Sequence, residues 1–185
     1  LWDEEDSFFY DMMHLNDDRS IPLKVRSFVG LIPLFAVEVL DADLLEKLPR
    51  FRRRMQWFAT YRPELTRRFA SFVETGDKER LLLSIVGKER LQQVLHRMLD
   101  QDEFLSDYGL RSLSRYHLEN PYRFRLHGSR KYEVHYTPAE SDNGMFGGNS
   151  NWRGPIWMPL NHLMIESLQK YHRYYGDTLK IPFPS

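Results

Sequence analysis

Apolar and polar positions follow one another along this chain in runs that predict distinct elements. Phe8 to Met13 alternates weakly, Asn16-Asp17-Asp18-Arg19 has turn composition, and Ser20 to Val25 is spaced to pair back as a short strand. Leu31 to Leu40 is apolar almost all round, with Glu38 its one charge. That pattern predicts a helix beginning near Ile32, with Pro33 in its first turn, covered on every side. Arg50 to Tyr61 instead places Phe51, Met55 and Phe58 on one stripe and its arginines elsewhere, as a surface helix does. Pro63 opens a further helical segment, roughly Glu64 to Glu74. Gly87 to Asp100 carries a stripe of Leu91, Val94, Leu95, Met98 and Leu99. Tyr122 to Leu126 and Lys131 to Tyr136 alternate around His127-Gly128-Ser129-Arg130, predicting a β-hairpin inserted between helices. After the polar stretch Pro138 to Asn151, a helix is expected from about Met158 to Tyr175. Its stripe is Leu160, Met164, Leu168, Tyr171 and Tyr175, with Glu166 and Lys170 as an i, i+4 pair and Gly176 at its end.

A helix buried all round beside helices exposed on one side calls for two concentric helical layers, so the expected fold class is all-α with a small β-hairpin insertion. The 185 residues fit one domain, and 42% apolar with 14% aromatic content can fill a core. Lys plus Arg and Asp plus Glu both number 26, so no net field attracts nucleic acid or an anionic membrane, and neither is expected as a partner. The cluster Arg50 to Arg54, with Arg67 and Arg68, is read as a solvated outer face. Without cysteine there is no disulfide or thiol chemistry, which is compatible with a cytoplasmic location. No apolar run approaches the length of a membrane span. The seven histidines are scattered without ligand spacing, so no metal is expected. A chain that opens on Leu and closes on Ile-Pro-Phe-Pro-Ser reads as cut from a longer one.

The chemistry concentrates in Gly147-Gly148-Asn149-Ser150-Asn151-Trp152-Arg153-Gly154-Pro155-Ile156-Trp157-Met158-Pro159, which runs into the last helix. Glycines allow close backbone approach, and Pro155 and Pro159 fix φ where a helix begins. Arg153, Asn149 and Asn151 offer hydrogen bonds to hydroxyls, and Trp152 and Trp157 offer flat faces for the C–H side of a sugar ring. For the two asparagines, bonding to their own backbone is an equal alternative. Hydrolysing a glycosidic bond needs two carboxyl groups, roughly 6.5–9.5 Å apart in inverting enzymes. Taken on composition alone, Asp6 and Glu140 would make such a pair. Asp3, Asp6 and Asp11 have three readings: lining a pocket, binding a cation, or holding the Phe8–Val25 segment by local hydrogen bonds. The last is favoured because such bonding is common for Asp.

Phe146 to Pro159, with Leu160-Asn161-His162-Leu163 and Glu166-Ser167-Leu168 after it, resembles glycoside hydrolase family 63. So do Leu1-Trp2-Asp3-Glu4-Glu5-Asp6-Ser7-Phe8-Phe9-Tyr10-Asp11, where the family more usually has Gly at Ser7, and Pro22-Leu23-Lys24-Val25-Arg26-Ser27 through Gly30-Leu31-Ile32-Pro33-Leu34. Glu103-Phe104-Leu105-Ser106 with Tyr108-Gly109-Leu110-Arg111-Ser112-Leu113-Ser114 fits as well. The likeness runs in order over nearly the whole chain. A looser one to trehalases appears at Trp157 to Asn161. The resemblance implies that residues 1–185 are the middle of a single six-hairpin (α/α) toroid. It implies an inverting hydrolase of α-linked glucosides or mannosides, working without cofactor on an oligosaccharide or small glycoside. It further implies that the catalytic Asp lies upstream of Trp2 to Glu5 and the catalytic Glu downstream of Pro155, so that neither is among these residues. On that reading Asn149, Asn151, Trp152, Arg153 and Trp157 form part of the sugar-binding wall, and the chain's partner is the remainder of its own catalytic domain. Two other readings stand beside it: a non-catalytic carbohydrate-binding or scaffolding helical domain, and a trehalase-like or glucoamylase-like glycosidase.

Overall fold

Val37-Glu38-Val39-Leu40 alternates buried and open positions, Val37 and Val39 buried and Glu38 exposed, and it forms a strand. β-Branched residues at every second position pack well on a pleated surface and poorly in a helix. The computed structural model, which describes residues 2–16, 18–66, 80–125, 131–138 and 155–183, therefore overturns the buried helix expected over Leu31–Leu40. The chain makes a 3-10 run over Phe28–Phe35, with Pro33 inside it, and then the strand.

In order, the elements are β1 (Trp2–Asp3), β2 (Phe8–Phe9), β3 (Asp11–His14), β4 (Ser20–Leu23), β5 (Val37–Leu40), α1 (Ala42–Lys47), α2 (Pro49–Tyr61) and α3 (Pro63–Thr66). They continue with β6 (Leu81–Ser84), α4 (Lys88–Met98), β7 (Leu105–Ser106), β8 (Gly109–Leu110), β9 (Tyr122–Arg125), β10 (Lys131–Val134) and α5 (Met158–Tyr175). Among the described residues the strands form five two-stranded antiparallel pairs: β1 with β2, β3 with β4, β5 with β6, β7 with β8, and β9 with β10. The all-α expectation is thus corrected to a mixed fold of helices and strands. Four of the pairs join strands that are neighbours in the chain and satisfy their backbone locally, while β5 and β6 pair across a long connection that holds α1, α2 and α3.

Contacts divide the chain into two compact units, one of Leu1–Ile32, Gln93–Asn161 and Pro182–Ser185, the other of Pro33–Gln92 and His162–Ile181. In the first, Phe8 and Phe104 are fully buried and stack with centroids 5.7 Å apart, and Phe8 meets Tyr10 edge-on at 5.4 Å. Gly30 lies against this pair: a methyl group there would overlap the Phe8 ring and the Phe9 carbonyl oxygen. Asp18 sits in the turn between β3 and β4 with φ of 60°, a conformation Asp tolerates better than most residues. In the second unit Leu34, Leu82, Val86, Met164 and Tyr171 are buried, and Tyr171 shares a hydrogen bond of 2.9 Å with Ser84 Oγ.

α4 and α5 follow their stripes, whereas α2 spans its expected residues but buries none of them, with Phe51 42% exposed, and residues 67–74 of the next expected helix lie outside the described residues. α4 buries Leu91, Val94, Leu95 and Met98. α5 buries Met164, Ser167, Tyr171 and Tyr175, and the chain leaves it through Gly176 at φ of 51°, in the left-handed region. Lys170 turns to Glu38 Oε2 at 2.7 Å, while Glu166 faces His162 at 3.5 Å, so the expected Glu166–Lys170 pair is replaced. Among the described residues, no helix is long and apolar enough to cross a membrane.

Candidate functional site

The first cluster of chemistry grows from Lys24 and Arg26. They follow β4 and are spaced two apart, so both reach the carboxylates of the opening segment. Lys24 Nζ lies 3.0 Å from Asp3 and 3.1 Å from Asp6. Arg26 bonds Asp6 at 3.1 Å, Glu103 at 2.7 Å and the Tyr10 hydroxyl at 3.3 Å, with its guanidinium carbon 3.7 Å from the centroid of the Tyr116 ring. Arg97 from α4 donates to Glu103 Oε1 and to the Asp6 carbonyl, and Ser114 Oγ donates to Glu103 Oε2. The Arg26 backbone N–H donates to His117 Nε2 at 2.8 Å, which leaves Nδ1 to donate to the Asn120 carbonyl at 2.9 Å. Burial, with Arg26 nearby, holds His117 below the usual imidazole range.

This arrangement binds protein to protein. The Asp6 backbone N–H and Lys24 hold Asp3 below the ordinary carboxylate range. Burial pushes Asp6 upward, but Lys24 and Arg26 more than reverse it, and its net shift is downward as well. A general acid needs the opposite shift. Asp3 also accepts from the Asp6 N–H at 2.9 Å, a local bond of the kind favoured for these residues. Asp11 is exposed on β3, opposite Leu23. Among the described residues no cluster of three metal-ligating side chains occurs.

The second feature is a cavity of about 380 Å3, within the roughly 300–1,000 Å3 typical of small-ligand sites. Tyr108 stands at its edge, 80% exposed, and Gln101, Asp107, Arg115 and Tyr136 supply polar groups and a second ring. Arg111 is held inside the wall, donating to the carbonyls of Gln101 at 2.9 Å, Glu103 at 3.3 Å and Leu105. Pro138 and Pro155 both line this cavity. The last described residue before 139–154 and the first after them thus border the same cavity. Asn149, Asn151, Trp152, Arg153 and Glu140 lie outside the described residues. Trp157 is half-buried immediately before α5.

Residue-type reasoning singled out the loop and the acidic opening but missed Lys24, Arg26, Glu103, Tyr108, Arg111 and Asn161. A usable signal was present: each of these falls in a stretch that resembles the family. The Trp2–Asp11, Pro22–Leu34 and Glu103–Ser114 stretches meet at Arg26.

Comparison with known proteins agrees with that convergence. Residues 80–181 match the glycosyl hydrolase family 63 C-terminal domain. The chain belongs to glycoside hydrolase family 63. It is 49% identical to Uncharacterized protein YMR196W of Saccharomyces cerevisiae over all 185 residues, which span 17% of that protein. It is also 31% identical to Mannosyl-oligosaccharide glucosidase of the same yeast over 84 residues, 45% of this chain and 7% of that protein. The chain thus covers a small fraction of the length of the relatives it matches.

Proposed function

We propose that residues 1–185 form part of the sugar-binding wall of an inverting, cofactor-independent glycoside hydrolase acting on α-linked glucosides or mannosides. The observation that carries this reading is the cavity lined by Tyr108, Tyr136, Pro138 and Pro155, in a chain of family 63. Tyr108 and Tyr136 offer flat faces, Gln101, Asp107 and Arg115 offer hydrogen-bonding groups, and a polyhydroxylated ring uses both. The likeness to Mannosyl-oligosaccharide glucosidase favours a glucoside.

The acid and base come from outside these residues. Lys24 and Arg26 favour the ionised form of Asp6, which argues against it as the proton donor to a leaving oxygen. The working domain then assembles this chain with the remainder of its own catalytic domain.

The test is hydrolysis by the full-length protein of α-linked gluco- and manno-disaccharides, followed by NMR of the anomer first released. Net inversion on an α-glucoside, with residues 1–185 alone inactive, is the expected result. Turnover by residues 1–185 alone, abolished by Asp6→Asn or Glu140→Gln, would overturn the placement of the carboxylates.

A further inference from the structure

We propose that Asn161 is a positioning residue: its amide clamps β8, and with it the β7–β8 turn, to the Pro155–Trp157 segment ahead of α5 and so holds the mouth of the cavity. The inference rests on the carbohydrate reading above. Its geometry is independent of that reading.

Asn161 Oδ1 accepts from the Leu110 N–H at 2.7 Å, and Nδ2 donates to the Leu110 carbonyl at 3.3 Å. One side chain thereby satisfies both backbone groups of one residue, as a neighbouring strand would. Nδ2 also donates to the Trp157 carbonyl at 3.1 Å, and so does the Asn161 backbone N–H, likewise at 3.1 Å. The clamp therefore joins the residue at the start of α5 to β8, about 50 positions earlier in the chain.

Gly109 is shaped for this contact. Its φ is 124°, and a Cβ there would stand 2.9 Å from Asn161 Oδ1 and 3.4 Å from Ile156 Cγ2. A side chain at 109 would be strained in its backbone and would push the amide away. Two further bonds brace the same turn: Ser106 Oγ donates to the Gly109 carbonyl at 2.6 Å, and the Ser112 N–H donates to the Pro155 carbonyl at 2.9 Å. What the turn presents is Tyr108, and what lies across the clamp is Pro155–Ile156; all three line the cavity. Moving Asn161 thus changes the spacing between the aromatic edge and the loop exit, and it does so without touching ligand.

Asn161→Asp and Asn161→Leu in the full-length protein test this. The carboxylate still accepts from Leu110 but sets its second oxygen against the Leu110 and Trp157 carbonyls. Protonation at acid pH restores a donor there. The expected result is faster amide exchange confined to residues 106–112 in both variants, with KM for an α-linked disaccharide raised about tenfold, roughly one net hydrogen bond, and kcat little changed. Relative to wild type at each pH, Asn161→Asp should recover as its carboxyl protonates, and Asn161→Leu should not. Unchanged exchange at 106–112, exchange rising equally in α4 and β9–β10, or kcat falling with KM unchanged would each overturn the proposal. If the wild-type protein hydrolyses no α-glucoside or α-mannoside, the carbohydrate reading fails, while the exchange measurement still decides the clamp.

Discussion

The Arg26 guanidinium donates to Glu103 Oε1 at 2.7 Å, with both side chains about nine-tenths buried and 77 positions apart in the chain. Arg97 and Ser114 bind the same carboxylate. Removing one partner of a buried pair leaves the other charged without compensation, which is far costlier than losing a surface pair. Glu103→Gln leaves two guanidiniums facing a neutral amide and should cost about 3–5 kcal/mol. Urea unfolding measures it. A loss below about 1 kcal/mol would mean that water already screens the cluster.

Acid should loosen the same region. Asp3 and Asp6 have folded values below their ordinary value of 3.8, so the unfolded chain binds protons more readily as pH falls. The stability they contribute is complete well above 3.8 and is lost progressively from about pH 5 downward through their folded values. Asp6→Asn should lower stability at neutral pH and flatten its fall below pH 5, as read from unfolding midpoints against pH. An unchanged slope would assign the acid sensitivity to other carboxylates.

Gly30 has no room for a side chain. Gly30→Ala drives a methyl into the Phe8 ring and the Phe9 carbonyl, neither of which can yield without moving the Phe8–Phe104 stack. Overpacking of this kind costs about 1–3 kcal/mol, seen as a lower Tm. A Tm equal to wild type would show that the β2 segment moves freely.

In the second unit, Tyr171→Phe removes the hydroxyl that meets Ser84 Oγ and should cost about 0.5–1.5 kcal/mol. Burial pushes that phenol up to about 12, so it stays protonated across the ordinary pH range and the cost should not vary between pH 6 and 9. A cost that changed over that range would show the phenol ionising within it.

Local periodicity carried the elements that one stretch of sequence can specify. α5 spans Met158–Tyr175, as its 3.6-residue stripe and Gly176 predict, and the hairpin of β9 and β10 follows from alternation around a polar turn. Over Leu31–Leu40 two periods compete. An apolar run fits a buried helix or a strand equally well, and the Val-Glu-Val alternation that favours the strand is only four residues long. Its partner, Leu81–Ser84, lies more than forty positions away, and no local pattern reveals it. The candidate site divides the same way. The stretch ending at Trp157 stands out by composition, and its residues 147–154 lie outside the described residues. The tasks of Arg26, Arg111 and Asn161 depend on partners distant in sequence, and Asp6 changes from candidate acid to ion-pair partner only when Lys24 and Arg26 are folded against it.

Pro138 and Pro155 border one cavity, so the described chain on the two sides of residues 139–154 meets there. Closure entropy grows only slowly with loop length, about 0.6 kcal/mol for each doubling. A short insertion between 138 and 155 should therefore leave the pairing of β9 with β10 and the span of α5 unchanged, as amide exchange in those elements would show.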